Sequence, residues 1–284
     1  ADRYTYLPYI GLSFGLIVLV RTLGNQPLAR WVPGLAMGTL VVFSGFSVYF
    51  SGIWKDTYAL WDRVVEHYPN HFYAYLNRGY AYHLDKNHTE ALVDLNLAIQ
   101  KNPRYYQGYD YRARVFLSLD NPEAAIQDFT KGLQLNPKQI DLLLDRALAF
   151  SQLNLQREAL ADFNAYIELD PDFPYAYFWR AVVWERLGQP ANAIADYNQG
   201  LQLAPQNPEV LNNRAWVYYN VGEPKAALRD LNQALQMAPN FGQALFRRSR
   251  VRKDLGELRG AYLDAQAAAQ NGYVLPQGYL EQLR

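Results

Sequence analysis

Six prolines, Pro69, Pro103, Pro137, Pro171, Pro205 and Pro239, recur at every 34th position with no insertion between them. A strict period of this length means one structural unit copied along the chain, so a stacked array is expected rather than a single wrapped core. Function in such an array lies in the surface that the stack builds. Binding is therefore expected before catalysis.

Other residue types keep the same phase. Ala91, Ala125, Ala159, Ala193 and Ala227 each stand twelve places before a proline, and Ala261 follows in step. A large apolar residue comes eight before it: Leu95, Phe129, Phe163, Tyr197 and Leu231. A small one comes 24 before: Gly79, Ala113, Ala147, Ala181, Ala215 and Ser249. An aromatic comes 21 before in five units: Tyr82, Phe116, Phe150, Trp184 and Tyr218. Each unit reads as two amphipathic helices. Tyr175 to Leu187 carries apolar residues at three and four spacing, Gly188-Gln-Pro190 interrupts it, and Ala191 to Ala204 forms the second helix. Proline cannot continue that helix and stops it. A hairpin this small cannot bury its own apolar faces, so neighbours must stack.

These residues resemble the tetratricopeptide repeat family. The pattern runs Arg78-Gly-Tyr-Ala-Tyr82, Ala91-Leu-Val-Asp-Leu95, Pro103 and recurs in each later unit, over roughly residues 56–276. The resemblance implies a superhelix of helix pairs whose first helices line a concave, usually peptide-binding groove. Six 34-residue units are expected over residues 70–273, with a joining half-repeat at 55–69 and a capping tail at 274–284. In the half-repeat Trp61 takes the large apolar place and Thr57 that of the usual alanine. In the last unit Arg252, Ala265 and Tyr273 replace the aromatic, large and proline residues, as befits a terminal unit facing water.

A charged pair is also periodic. Arg78, Arg112, Arg146, Arg180, Arg214 and Arg248 are matched in number and phase by Asp94, Asp128, Asp162, Asp196, Asp230 and Asp264. An arginine ladder for an anionic ligand needs no matching carboxylates, so these twelve read as internal pairs that hold helix register.

Composition divides the chain in two. Residues 1–54 carry only four charges, Asp2, Arg3, Arg21 and Arg30, whereas the remainder has 24 basic and 26 acidic residues. A near-neutral array without basic stripes argues against nucleic-acid binding, which rests on neutralising phosphates. Cysteine is absent, which removes disulfides, thiol nucleophiles and thiolate metal sites. The first residue is Ala1, which points to a processed chain or the C-terminal part of a longer one. Tyr4 to Val20 and Trp31 to Trp54 are uncharged runs of 17 and 24 residues, against the roughly 17–25 a spanning helix needs. Trp31, Tyr49 and Trp54 stand near the ends of the second run, where amphipathic rings favour the interface. The fold class expected is therefore all-α, a repeat superhelix preceded by a two-helix transmembrane hairpin over residues 1–54, with spans at about 4–20 and 31–54 and lipid around residues 4–54. The Arg21–Arg30 loop has two arginines and no acid, so it belongs on the cytoplasmic side. The repeats would then be periplasmic or lumenal, with a bacterial inner membrane favoured.

Asp2-Arg-Tyr-Thr-Tyr-Leu-Pro-Tyr-Ile-Gly11, followed by span, loop, span, Trp54, Trp61 and repeats, is similar to the C-terminal membrane part of GT-C-type (TMTC-like) glycosyltransferases that carry tetratricopeptide repeats. The resemblance implies the non-catalytic end of an enzyme that uses polyprenyl-phosphate sugars, with Asp2, Arg3 and Tyr4 edging its cavity. The early loop that bears that family's carboxylates is absent from this sequence, so no catalytic residue is carried over. The alternative is a stand-alone assembly factor or accessory subunit of a membrane protein complex.

No nucleotide loop, zinc-binding His-Glu-x-x-His or nucleophile elbow is present, and no cofactor is implied. His67 and His71 have ligand-like spacing, but Pro69 between them breaks the helix that would align them. First-helix positions outside the packing set give the candidate groove: Tyr73, Tyr80, His83, Asp110, Arg114, Asp141, Tyr175, Phe178, Asn212, Trp216 and Tyr219. Rings beside amides and a few charges suit a protein or peptide ligand, through apolar contact with polar tips. The competing reading is that a chain with 23 tyrosines packs aromatics on both faces.

Overall fold

The structure, a computed structural model, describes residues 57–284. The two candidate spans lie outside the described residues, and no helix within them is long and apolar enough to cross a membrane. Thirteen α-helices follow one another: α1 (Thr57–His67), α2 (Phe72–Leu84), α3 (His88–Lys101), α4 (Tyr106–Ser118), α5 (Pro122–Leu135), α6 (Ile140–Gln152), α7 (Gln156–Leu169), α8 (Pro174–Arg186), α9 (Pro190–Leu203), α10 (Pro208–Asn220), α11 (Pro224–Met237), α12 (Gly242–Asp254) and α13 (Leu258–Gln270). No strand is present among the described residues. The even-numbered helices open the six pairs; α1 is an unpaired second helix that packs on α2.

Both turns of the unit have a backbone cause. Within each pair the chain turns through a residue of positive φ, at Lys86, Asp120, Asn154, Gly188, Gly222 and Gly256 in succession. The next N–H then reaches back to the carbonyl of the periodic aromatic slot, as in Asn87 to Tyr82 (2.8 Å) and Glu223 to Tyr218 (2.8 Å), which closes a Schellman-type end. Between pairs, the residue before each repeat proline is forced out of the helical region. Asn102, Asn136, Asp170, Ala204 and Ala238 all sit at φ between −141° and −131° with ψ of 80–85°. The constant geometry of these joints is what turns a sequence period into a superhelix.

Burial follows the period. The six periodic alanines, Ala91 through Ala261, are fully buried, and Leu95, Phe129, Phe163, Tyr197 and Leu231 are at most 1 % exposed. Helices of a pair meet where side chains are small. At Gly79 an added Cβ would stand 2.9 Å from Leu95 Cγ. First helices of successive pairs also touch one another (α2 with α4, α6 with α8, α10 with α12), and they line the inner face.

The periodic arginines and aspartates form the internal pairs expected of them. Arg78–Asp94, Arg112–Asp128, Arg146–Asp162, Arg180–Asp196, Arg214–Asp230 and Arg248–Asp264 are all bidentate, with N–O separations of 2.6–2.8 Å. Each guanidinium also donates through Nη1 to the preceding unit, in turn to Asp62, Asn96, Thr130, Asn164, Asn198 and Asn232. The ladder thus ties a pair together and ties that pair to its neighbour, and α1 supplies its first rung through Asp62 at 2.6 Å. The third partner is periodic as well, seven places before each proline.

At the far end, the tail folds back and ends in a 3-10 turn over Glu281–Leu283. Tyr279 and Leu283 are buried against the last pair, where the Tyr279 ring meets Phe246 edge-on at 5.3 Å and its hydroxyl lies 3.2 Å from Ser249 Oγ.

Candidate binding groove

The inner face is built from a few places on the first helices whose content changes from unit to unit. One is the place just before the ladder arginine: Asn77, Tyr111, Asp145, Trp179, Asn213 and Arg247. Another, two after that arginine, holds Tyr80, Arg114, Leu148, Val182, Trp216 and Arg250. The ladder fixes the rotation of each first helix, so these places face the same side in every unit.

Around the first units the face is aromatic. Tyr73 is exposed and meets Phe72 edge-on at 6.0 Å. Tyr80 stacks on Tyr111 of the next first helix at 4.3 Å, with His83 6.3 Å from the Tyr80 ring. Burial holds the His83 imidazole below its ordinary value, helped by His88 and Arg114.

The next stretch is acidic. Arg114 bridges Asp110 on its own helix at 2.8 Å and Asp145 on the next first helix at 2.7 Å, and Asp141 lies exposed beside them. Burial pushes the carboxyl groups of Asp110 and Asp145 up, although Arg114 pulls both the other way. One guanidinium serves two carboxylates here, so the local charge is negative.

Aromatic surface returns in α8. Tyr175 is 46 % exposed and lies 5.8 Å from Trp179. Phe178, by contrast, is a core side chain only 5 % exposed. Its ring fills the space over Gly200, where an added Cβ would stand 2.2 Å from it. Farther along, Trp216 and Tyr219 lie 5.4 Å apart at the groove surface. Asn212 is nearly sealed at 1 % exposed and donates to Gln243 at 3.1 Å. Phe178, Asn212 and Asp110 share one place in the repeat, which packs between successive first helices; all three are buried, so that place reaches the groove edge at most.

Six residues that the sequence reading passed over stand on the inner face or beside it: Tyr111, Asp145, Trp179, Glu185, Arg247 and Arg250. For four of them the signal was present as a place in the period whose residue varies between units. Arg247 and Arg250 stand in α12 with Arg248, Arg252 and Lys253, and the structure divides the charges of that helix. Arg248 and Arg252 both turn to Asp264, at 2.6 and 2.8 Å, whereas Arg247 and Arg250 lie over the Trp216 ring at 5.1 and 4.9 Å.

With this architecture in view, family models described as tetratricopeptide repeat match residues 60–93, 108–139, 144–208 and 208–241. The chain carries an array of tetratricopeptide repeats. Solved structures of similar fold include YrrB, described as a tetratricopeptide-repeat protein with an unusual peptide-binding site (TM-score 0.60, 18 % identity, 65 % of this chain and 95 % of that one). PilF of Pseudomonas aeruginosa is similar at TM-score 0.58 and 21 % identity, over 71 % of this chain and 88 % of that one. MamA from Desulfovibrio magneticus RS-1 is similar at TM-score 0.58 and 15 % identity, over 60 % of this chain and 96 % of that one. At these identities the likeness is one of fold. A search of the curated proteins gave no match.

Proposed function

We propose that this tetratricopeptide-repeat array is a scaffold that holds an extended segment of a partner protein along its inner face. The observation that carries the reading is the contrast between two sets of residues. Everything locked to the 34-residue period is spent on packing and on the ladder, while the inward places vary and leave Tyr73 and Tyr175 exposed and Trp216 half-buried beneath two arginines. Rigid aromatic side chains give contact area at low entropic cost, and such residues dominate binding energy at interfaces. The peptide-binding description of YrrB is in keeping with this use of the fold.

The test compares the full chain with Tyr175→Ala and Trp216→Ala by quantitative co-purification. A partner retained by the parent and lost from both variants supports the groove; an unchanged set of partners refutes it.

The uncharged runs at residues 4–20 and 31–54 support a further part of the proposal, that the scaffold is anchored in a membrane with the repeats on the extracytoplasmic side. Carbonate extraction that releases the chain would overturn the anchor. Digestion of the repeats from the cytoplasmic side would overturn the orientation. The Asp2–Gly11 stretch favours a place at the non-catalytic end of a GT-C-like glycosyltransferase, where the groove would recruit acceptor protein. Co-expression with such an enzyme's catalytic part tests it: unchanged glycosyl transfer on deletion of the array would count against this placement.

A further inference from the structure

The guanidinium groups of the array have carboxylate partners almost everywhere that they approach the inner face. The six ladder arginines have theirs, Arg114 has two, and Arg252 has Asp264 and Glu257. Arg186, at the end of α8, donates to the Ser151 carbonyl and hydroxyl, and Arg247 and Arg250 likewise bridge no carboxylate among the described residues. Arg247 is largely buried and donates through Nη1 to the Asn212 carbonyl at 2.8 Å and to Asn213 Oδ1 at 3.3 Å, both neutral acceptors. Arg250 lies over Trp216 and Tyr219, at 4.9 and 5.5 Å, and bridges no carboxylate among the described residues. Both guanidinium carbons lie close to one indole, and the Arg250 charge is near enough to act on Arg247 electrostatically.

The acids of this region are engaged elsewhere. Glu185, near enough to Arg247 to act on it electrostatically, accepts from the Tyr197 hydroxyl, and Asp254 accepts from the Tyr219 hydroxyl. Arg247 spends Nη1 on Asn212 and Asn213, and Arg250 interacts with the Tyr219 hydroxyl, but neither guanidinium has a carboxylate for the bidentate grip that its planar fork can make. Asn212 adds a second sign of an incomplete site. It is 1 % exposed, yet its amide oxygen has no hydrogen-bond partner. Its only amide contact is with another amide, Gln243. Exchanging O and N in both amides keeps that bond and turns a donor toward the unfilled position.

We propose that Arg247 and Arg250, held on Trp216 and backed by Asn212 and Asn213, bind an acidic side chain of the peptide that occupies the groove. The peptide is read in one direction, because the guanidinium end lies opposite the carboxylate-rich stretch of Asp110, Asp141 and Asp145. This inference rests on the groove reading above and adds the chemistry of its ligand.

The full chain is used to select from a displayed library of random dodecapeptides, and the best binder is then synthesised with glutamate, glutamine or phosphoserine at the selected position. The selected sequences are expected to carry Asp or Glu in a constant register. Glutamine there should weaken binding about tenfold or more, the loss that follows when a charge-assisted hydrogen bond is removed. Tight binding by phosphoserine identifies the feature read as an oxyanion. Arg250→Gln and, separately, Arg247→Gln should shrink the glutamate-to-glutamine difference to about twofold, because the larger loss falls on the glutamate peptide. Thermal unfolding of each variant checks the fold, and Arg250, which makes no bond to the backbone of the preceding first helix as Arg247 does, keeps the test open if Arg247→Gln unfolds. Peptides selected without acidic preference, or discrimination that survives in both variants, overturn the inference alone. If no peptide binds at all, the groove reading falls with it.

Discussion

Cutting one rung of the arginine–aspartate ladder gives the sharpest test of how this array is held together. Asp196→Ala removes the carboxylate that receives Arg180 Nε at 2.8 Å and Nη2 at 2.7 Å. The aspartate side chain is 9 % exposed and the arginine 18 %, so the stranded guanidinium stays mostly out of water. Breaking a buried pair from one side costs about 3–5 kcal/mol. Arg180 keeps some solvent and keeps its bond to Asn164 at 2.7 Å, which places the expected loss near the lower end, about 3 kcal/mol. Asn164→Ala removes a single bond at a solvated site and should cost about 1 kcal/mol. The double variant Arg180→Met with Asp196→Leu strands no charge and should cost about 1 kcal/mol or less. Urea unfolding followed by circular dichroism measures the totals. Repeat arrays need not unfold as one unit, so hydrogen exchange must locate the change, expected in α8, α9 and the facing part of α7. The reasoning fails if Asp196→Ala costs under about 1 kcal/mol, which is the behaviour of an exposed ion pair. It also fails if the double variant is as unstable as the single one.

Gly222 has φ of 82° and nothing within 4 Å of an added Cβ, so Gly222→Ala isolates the backbone term; a loss of about 1 kcal/mol in urea unfolding is expected, and no loss would mean that the turn relaxes. Gly200→Ala drives a methyl into the Phe178 ring and should cost about 1–3 kcal/mol. Phe178→Leu added to it should recover part of that loss; additive losses would show that the ring is not the obstacle. Burial raises the folded-state values of Asp110 and Asp145 above the ordinary aspartate value of 3.8. The stability these carboxyls contribute is complete below that ordinary value and is lost as pH rises through the raised folded-state values. Asp110→Asn should therefore flatten the decline of stability above about pH 4 and leave the array at least as stable at neutral pH. A neutral-pH loss of about 2 kcal/mol would instead make the bond to Arg114 dominant.

The repeat, its two turns and the internal pairing of the ladder arginines with the ladder aspartates were legible in the residues alone; which aspartate each arginine takes was decided by the structure. Each depends on local backbone rules or on partners in fixed phase within one period: proline forces the residue before it extended, and Arg180 finds Asp196 sixteen places on, as every ladder arginine does. The third ladder partner was equally periodic, but its content alternates among Asp, Asn and Thr, so residue type hid it. Membrane spans and their resemblance rest on residues 1–56, which the described structure does not include.

The groove is different in kind. A helical projection of one unit treats Phe178 and Tyr175 alike, as first-helix residues outside the packing set; stacking buries the first over Gly200 and leaves the second in water. Likewise, Arg247, Arg248, Arg250 and Arg252 crowd one short helix in the sequence, yet two of them pair with Asp264 and two settle on Trp216 of the preceding first helix. The repeated unit could be read from the order of residues, because its period records contacts that every unit makes with itself and its neighbours in the same way. The binding face emerges with the assembled superhelix, because it is made of residues that differ between units and acquire partners when successive first helices come together.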